Sequence, residues 1–364
     1  VRIVVFDDVP EGGAKRVVFE QIKHLGEDHV VDYVTNTIES SFHFEKYAHT
    51  ITRFSMTLLP FSGWLRPLRE LSYYYYLSAQ FQRIAHFIDA LEPDVVIVHP
   101  SMTFQASPLL FFLKTPTIYI AEEWPRVVYE PLLHPLPTGR IQGIYEHLRR
   151  LWLGRLDREA ARAATAIVAT SSYMQSCLRS IYDKDIQLIP LGVDTTLFCP
   201  AAVAKGEYFL FVGNKEAING YDLVSEMEQV FGKVCPIKYV SFEQGEFSHP
   251  DAHLIKLYQR ARGTLCLADH EPFGLVALES QSCGTPVIAL KEGGYLDTVA
   301  HRRTGIMIPR SIKALREAIL LLICDDDLYS KMSLYGREKM IRSYDWKQHI
   351  LHIERLITKV VRHD

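Results

Sequence analysis

Glu271 and Glu279 are two carboxylates separated by the seven residues Pro-Phe-Gly-Leu-Val-Ala-Leu, inside the stretch 263–297. A continuous helix over that span would set them about 12 Å apart at 1.5 Å per residue, enough to reach opposite ends of one extended ligand. An ionised carboxylate accepts two hydrogen bonds from a vicinal diol, which suits Glu279 to a ribose and Glu271 to a sugar ring. The competing reading is a pair of solvated loop and helix residues. Pro-Phe-Gly between them and Gly-Thr-Pro-Val-Ile after them weigh against it, because such residues punctuate strand ends and helix starts.

The elements that must position these groups are legible nearby. The apolar run 263–268 predicts a buried strand, 269–274 a loop, and 275–283 a helix closed by Gly284. Thr285-Pro286 breaks the chain before a second strand at 287–290, and Lys291-Glu292-Gly293-Gly294 opens another helix at Tyr295. Two helix N-termini are therefore expected at one edge of a parallel sheet, where open α/β sheets bind ligands and where unpaired N–H groups suit a phosphate.

The run from Glu271 to Glu279, followed by Cys-Gly-Thr-Pro-Val-Ile-Ala and the Gly293-Gly294 loop, resembles the signature of retaining GT-B glycosyltransferases of family 4 type (group 1). That large family includes bacterial lipid-glycan mannosyltransferases and sucrose synthases. The match is specific here and looser over the rest of the chain. It implies an α/β GT-B fold, two Rossmann-like domains facing each other across a cleft. It also implies transfer of a sugar, with retention, from a nucleoside diphosphate sugar to a hydroxyl of a glycan, lipid-linked or small-molecule acceptor. Glu271 would contact the transferred sugar as oxocarbenium-like charge develops, and Glu279 would hold the nucleotide ribose. Backbone at Phe273, Gly274, Leu275, Gly293 and Gly294 would face the phosphates or sugar, with no cofactor or essential metal.

One departure from the family is visible. In the loop 212–220, Asn214 and Asn219 stand where resembled enzymes usually carry Arg and Lys on the donor diphosphate, leaving Lys215 or Lys291 to substitute. Charge stabilisation of this kind is often a large share of catalysis. A second reading follows: a sugar-nucleotide-binding partner protein with weak or no catalysis. A sugar-nucleotide epimerase on the same fold is a third, made less favourable by the spacing of the glutamates.

Toward the N-terminus, a strand at 2–6, a loop at 7–12 and a helix at 13–25 form a nucleotide-fold opening, but Glu11-Gly12-Gly13-Ala14 is not the G-x-G-x-x-G of a dinucleotide site. The resemblance gives Gly12 to the acceptor and Gly13 to the donor phosphate; a plain tight turn is the alternative. Further strands are expected at 29–34, 94–99, 116–120, 166–170 and 186–189, with helices at 68–91, 141–164 and 173–182, so the sheet is mostly parallel and covered on both faces. His99 then stands at the ligand edge, as an acceptor contact or a structural cap. Glu122, Glu123 and Arg126 follow the strand 116–120. They can bind acceptor hydroxyls, or Glu123 and Arg126 can pair internally. Family members often carry a histidine near Glu122, which makes Glu122 the second catalytic candidate after Glu271.

The segment 189–200 holds two prolines and a glycine and resembles the family linker I-P-x-G-V-D-x-x-x-F-x-P. Beyond it, strands at 207–212, 237–242, 263–268, 286–290 and 305–308 alternate with helices at 221–231, 251–261, 275–283, 312–324 and 328–343. The terminal segment 346–361 is periodic through Ile350, Leu351, Ile353, Leu356 and Ile357, and the resemblance implies that it crosses back. The expected division is 1–190 for the acceptor, 191–345 for the donor and 346–364 for the crossing helix.

Composition is that of an ordinary globular chain: 364 residues, 48% hydrophobic, 23% charged. A net charge of −3 lacks the basic excess of a general nucleic-acid binder. The six cysteines are widely spaced, form no C-x-x-C pair, and read as buried thiols of a reducing compartment. No secretory leader is expected, since Val1 begins on a strand, and no run nears the roughly 20 apolar residues of a membrane span. The stretch 42–76 mixes aromatics with Lys46, Arg53, Arg66 and Arg69, suiting a membrane surface or aromatic core packing. A cytoplasmic protein is the expectation, with peripheral contact at the inner membrane face as the alternative to core packing of that stretch.

Overall fold

The computed structural model describes residues 1–36, 40–55, 66–130, 134–232, 236–241 and 250–362, with backbone alone at 66–69, 71, 250 and 251. The chain divides into two compact units, the first comprising Val1–Thr170, Gln175–Leu188 and His352–Asp364. Its strands are β1 (Arg2–Asp8), β2 (Val30–Thr35), β3 (Thr50–Arg53), β4 (Val95–Ser101), β5 (Thr117–Ala121), β6 (Ala166–Ala169) and β7 (Ile186–Leu188). They form a parallel sheet in the order β3-β2-β1-β4-β5-β6-β7. Ile3 to Phe6 and Val95 to Val98 are fully buried, the continuous apolar run that a strand covered on both faces requires. The order reverses between β1 and β4, which makes their C-terminal ends the switch point of the sheet. Helices α1 (Gly13–Leu25), α2 (Arg66–Asp89), α3 (Arg126–Tyr129), α4 (Arg140–Ala163) and most of α5 (Ser172–Tyr182) complete the unit.

Two features differ from the sequence expectation. Strand β3 was not expected; its four residues, half-exposed at the sheet edge, are too short to show a period. Strand β4 runs through Pro100 to Ser101 instead of ending before it. Phe6 pairs Val98 and Asp8 pairs Ser101, so two residues face one, a bulge that accommodates the proline.

Buried ionisable groups hold this unit together. The Lys15 ammonium lies 2.5 Å from Asp7, whose other oxygen accepts the Tyr33 hydroxyl at 3.0 Å. Asp157 on α4 accepts the Ala106 N–H at 3.1 Å, the Tyr182 hydroxyl at 3.1 Å and the Tyr129 hydroxyl at 3.3 Å. Burial raises its carboxyl from the ordinary 3.8 to about 6, against the pull of those hydrogen bonds. The folded state therefore binds more protons than the unfolded chain between these values, and stability falls as pH rises through that window. A shift of this size corresponds to about 3 kcal/mol. In paired chemical denaturation curves, Asp157→Asn is expected to remove this component. The stability difference between variant and parent should then move by about 2 kcal/mol in the variant's favour between pH 4 and pH 7.5.

The second unit comprises Ser171–Met174 and Ile189–Leu351. Strands β8 (Phe209–Val212), β9 (Ile237–Val240), β10 (Gly263–Cys266), β11 (Val287–Leu290) and β12 (Gly305–Ile308) form a parallel sheet in the order β12-β11-β10-β8-β9. The helices are α6 (Tyr221–Phe231), α7 (Pro250–Arg260), α8 (Leu275–Ser282), α9 (Tyr295–Thr298), α10 (Ile312–Cys324), α11 (Asp326–Ser343) and α12 (Trp346–Val361). Leu315, Ile319 and Leu322 of α10 close the core over β11 and β12, and Met332 of α11, a helix packed on α8 and α10, belongs to the same core. The linker belongs to this unit: the Phe198 carbonyl accepts the Ser282 hydroxyl at 2.6 Å and Arg337 at 2.8 Å, and Arg337 reaches the Thr195 carbonyl at 2.8 Å. From His352 onward α12 belongs to the first unit, where Glu354 lies 3.4 Å from His29. Ile350, Ile353, Leu356 and Ile357 are buried as their spacing demands, while Leu351 is exposed.

The cysteines divide. Cys266 and Cys283 are buried free thiols, Cys177 and Cys199 are half-buried and Cys324 is exposed, so uniform burial does not hold; Cys235 lies outside the described residues, as does Phe242 at the end of the expected strand 237–242. Among the described residues no helix is long and apolar enough to cross a membrane. Within 42–76, residues 56–65 lie outside the description. Aromatic packing accounts for Phe42 against Phe19 at 5.0 Å and Phe44 against Tyr33 at 4.4 Å.

Candidate functional site

In the second unit the sheet order reverses between β8 and β10, so the loops after these strands flank its switch point. They touch directly. The Asp269 N–H donates to the Ile218 carbonyl at 2.8 Å, and Gly220, at φ +81°, lies so near that a Cβ would stand 2.2 Å from the Leu267 carbonyl oxygen. Arg310, which follows β12, ties the same edge together: it reaches Asp269 at 3.0 Å and Asp222 at 2.8 Å.

The loop 267–274 is also pinned from the other side. Gly294 donates to the Glu271 carbonyl at 2.7 Å, and Glu292 accepts the His270 N–H at 2.9 Å. A Cβ on Gly293 would meet the Glu271 carbonyl oxygen at 2.5 Å, and one on Gly294 the Phe273 Cα at 2.5 Å. The paired glycines thus serve the close packing of two loops, a requirement separate from the ligand-facing backbone that the resemblance implies. Gly274, at φ +96°, is the left-handed residue that turns the chain into α8, and the side chain of Phe273 is buried. The start of α8 at Leu275 has neither a side-chain cap nor an acidic residue in its first turn; the Ala277 and Leu278 N–H groups donate to the Gly274 carbonyl at 3.0 and 3.3 Å, which leaves those of Leu275 and Val276 for an anion. The second expected helix start is only the one-turn α9, with Asp297 in that turn, so it adds little dipole.

Glu279 is 7% exposed, and its Oε2 accepts the hydroxyl of the fully buried Tyr258 at 2.8 Å. Glu271 is half-buried in the loop. The Cys266 thiol, at the end of β10, is pushed up first by burial and then by both Glu271 and Glu279. Glu271 lies in the loop that leaves β10 and Glu279 on the helix which that loop enters. Tyr258, Arg310 and Gly220 escaped the sequence reading. Asn219-Gly220 is a turn dipeptide and Arg310 a cation just past a strand, but Tyr258 gives no signal within its helix.

The loop after β8 carries no donor-phosphate cations at the expected positions. Asn219 donates to the Asn214 carbonyl at 3.4 Å, and the Asn214 side chain meets Ser241 at 3.5 Å. Lys215 is exposed, with its ammonium 5.6 Å from the Tyr239 ring on β9, the side of β8 away from Glu271. Lys291 is also exposed.

The first unit's candidates separate. Gly12 caps α1 at φ +141° and ψ −155°, a conformation essentially reserved to glycine, while a Cβ there would meet nothing within 4 Å; backbone geometry is what requires it. Gly13 is the first residue of α1. His99 does not reach a ligand edge: the bulge carries it inside β4, where it is fully buried. Its Nδ1 lies 3.0 Å from Glu122 and its Nε2 2.9 Å from Gln21. An imidazolium donates to both, whereas a neutral ring donates from Nδ1 to Glu122 and accepts at Nε2 from the Gln21 amide when that amide is turned round. Glu122 is mostly buried, which raises its carboxyl, and His99 opposes that rise. Glu123 and Arg126 pair with each other, and Arg126 lies 3.8 Å from Glu130, so the internal pair is the arrangement found. Among the described residues, no group of three or more His, Cys, Asp or Glu could hold a metal ion.

Residues 246–339 match the family described as Glycosyl transferases group 1, and residues 11–197 match Glycosyltransferase Family 4. The chain is similar to the alpha-maltose-1-phosphate synthase of Mycolicibacterium smegmatis, 25% identical over 246 residues. That alignment takes in 52% of this chain and 62% of the relative, so the chain spans less than two thirds of the latter's length. In fold it is similar to sucrose-phosphate synthase from Thermosynechococcus elongatus, with a TM-score of 0.74 and 17% identity over 100% of both chains. It is similar also to Anabaena HepE in complex with UDP and glucose, with a TM-score of 0.71 and 16% identity over 98% of this chain and 99% of that one. Two parallel-sheet α/β domains of the GT-B kind are thus accompanied by a family match that runs across more than half of the 364 residues, and the protein belongs to glycosyltransferase family 4.

Proposed function

We propose that the protein is a retaining glycosyltransferase that moves a sugar from a nucleoside diphosphate sugar to a hydroxyl acceptor, a glycan or lipid-linked group among them. The observation that carries this reading is the buried Glu279 of α8, held by the Tyr258 hydroxyl at 2.8 Å, on the helix whose uncapped start follows the β10–α8 loop that carries Glu271. In this reading Glu279 binds the ribose, the α8 N–H groups bind the diphosphate, and Glu271 faces the transferred sugar. Developing positive charge on that sugar then has a carboxylate beside it. No metal ion takes part. The fold shared with HepE, a protein that holds UDP and glucose, supports a sugar nucleotide as donor.

A specific observation favours a second reading, a partner protein that binds the sugar nucleotide and turns it over weakly: Asn214 and Asn219 supply no cation. Release of free nucleoside diphosphate from a panel of donors separates the two. The first reading expects release from one donor, cut at least roughly 100-fold in Glu271→Gln, as for loss of a charge-stabilising group. Binding without release, or full turnover by Glu271→Gln, counts against it.

A further inference from the structure

The outer face of α4 is apolar over its first three turns. Ile141 is 85% exposed, Ile144 64%, Leu148 59%, Leu151 59% and Trp152 41%. Their spacing confines them to an arc of about 100° on one side of the helix. The opposite face is spent on the core, where Leu153, Gly154, Asp157, Ala160 and Ala161 are buried. The helix is firmly seated: Tyr74 of α2 lies 4.6 Å from Trp152, and Glu70 accepts the Tyr145 hydroxyl and meets Arg149 at 3.3 Å. The stripe is therefore a property of a docked helix. Isolated exposed aliphatics are normal on a soluble surface, but a contiguous row about 16 Å long is not.

Charge indicates what covers it. The exposed positions beside and beyond the stripe are Arg140, His147, Arg155 and Arg158, against a single exposed acid, Glu159, which Arg155 engages at 2.7 Å. Two copies of such a face would bring like charges together, whereas an anionic surface is complementary. Aliphatics and a tryptophan flanked by arginines match the interface of a bilayer, with apolar groups at the acyl boundary and guanidinium groups at the phosphates. We propose that α4 docks the protein on an anionic lipid surface with its axis in the membrane plane. This surface adjoins the stretch 42–76, whose Glu70 and Tyr74 seat α4, and it stands independently of the donor and of the glycosyl transfer proposed above.

Flotation of the full chain with vesicles of phosphatidylcholine, with and without phosphatidylglycerol, tests this. Binding to the anionic vesicles alone, weakening as salt screens the charges, is the expected result. Ile144→Glu with Leu148→Glu should keep the parent's unfolding temperature, since both positions face solvent, and lose binding roughly tenfold or more. Arg140→Glu with Arg155→Glu, which leaves the stripe intact, should lose the preference for anionic vesicles. Absence of vesicle binding, or binding that neither pair of substitutions diminishes, overturns the proposal. So does a dimer seen by light scattering that Ile144→Glu with Leu148→Glu dissolves, since a second copy would then be what covers the stripe.

Discussion

Glu279→Ala is expected to lower affinity for the cognate nucleoside diphosphate by roughly 100-fold, measured by isothermal titration calorimetry. Hydrogen bonds to a charged group contribute about 1.5–3 kcal/mol each, and a diol makes two of them with one carboxylate. Glu279 does not wait in solvent for its ligand. It is held at 7% exposure with one oxygen on the Tyr258 hydroxyl, so its position is fixed without any ligand. Tyr258→Phe should therefore weaken binding in the same direction by a smaller step, about tenfold, with Glu279 still present. An unchanged affinity in Glu279→Ala would remove the ribose assignment.

Gly220→Ala is expected to destabilise the protein by about 3 kcal/mol or more in chemical denaturation, a large effect for one methyl group. Two causes add. The residue sits at φ +81°, where a side chain is strained, and its Cβ would stand 2.2 Å from the Leu267 carbonyl oxygen and 2.5 Å from the Leu267 Cβ. Neither neighbour is the far end of a flexible chain, so backbone has to move. What moves is the contact between the loops after β8 and β10, hence the edge that carries Glu271. A stability within 1 kcal/mol of the parent would mean that this contact is loose.

Long amphipathic elements were legible in the sequence with few errors. The helices Gly13–Leu25, Tyr221–Phe231, Ile312–Cys324 and Trp346–Val361 occupy the residues that their periodicity marks out, because each buries one face against a sheet or a neighbouring helix. The glutamates were legible as a pair through their spacing and the turn residues between them. What the sequence concealed lies in tertiary contacts. His99 reads as an edge residue when Pro100 is taken to end its strand, yet a bulge opposite Asp7 carries the strand on and turns the ring inward. Gly293 and Gly294 read as a ligand cradle, and nothing in the sequence signals that they also need space for the backbone of Glu271 to Phe273. Tyr258 is invisible as a functional residue because nothing in its own helix distinguishes it from a core tyrosine. Asparagines stand at 214 and 219 where the resembled family carries cations, so the proposed phosphate site is assigned to the uncapped start of α8.

The central claim is that the end of β10 in the second unit holds a nucleoside diphosphate. Thermal unfolding of the full chain with UDP, GDP and ADP tests it most directly, since a ligand at 100 times its dissociation constant adds about 2.7 kcal/mol to folding stability. One of the three should raise the unfolding temperature clearly, and the rise should vanish in Glu279→Ala at the same concentration. No shift with any of them, or a shift that Glu279→Ala leaves intact, would contradict it.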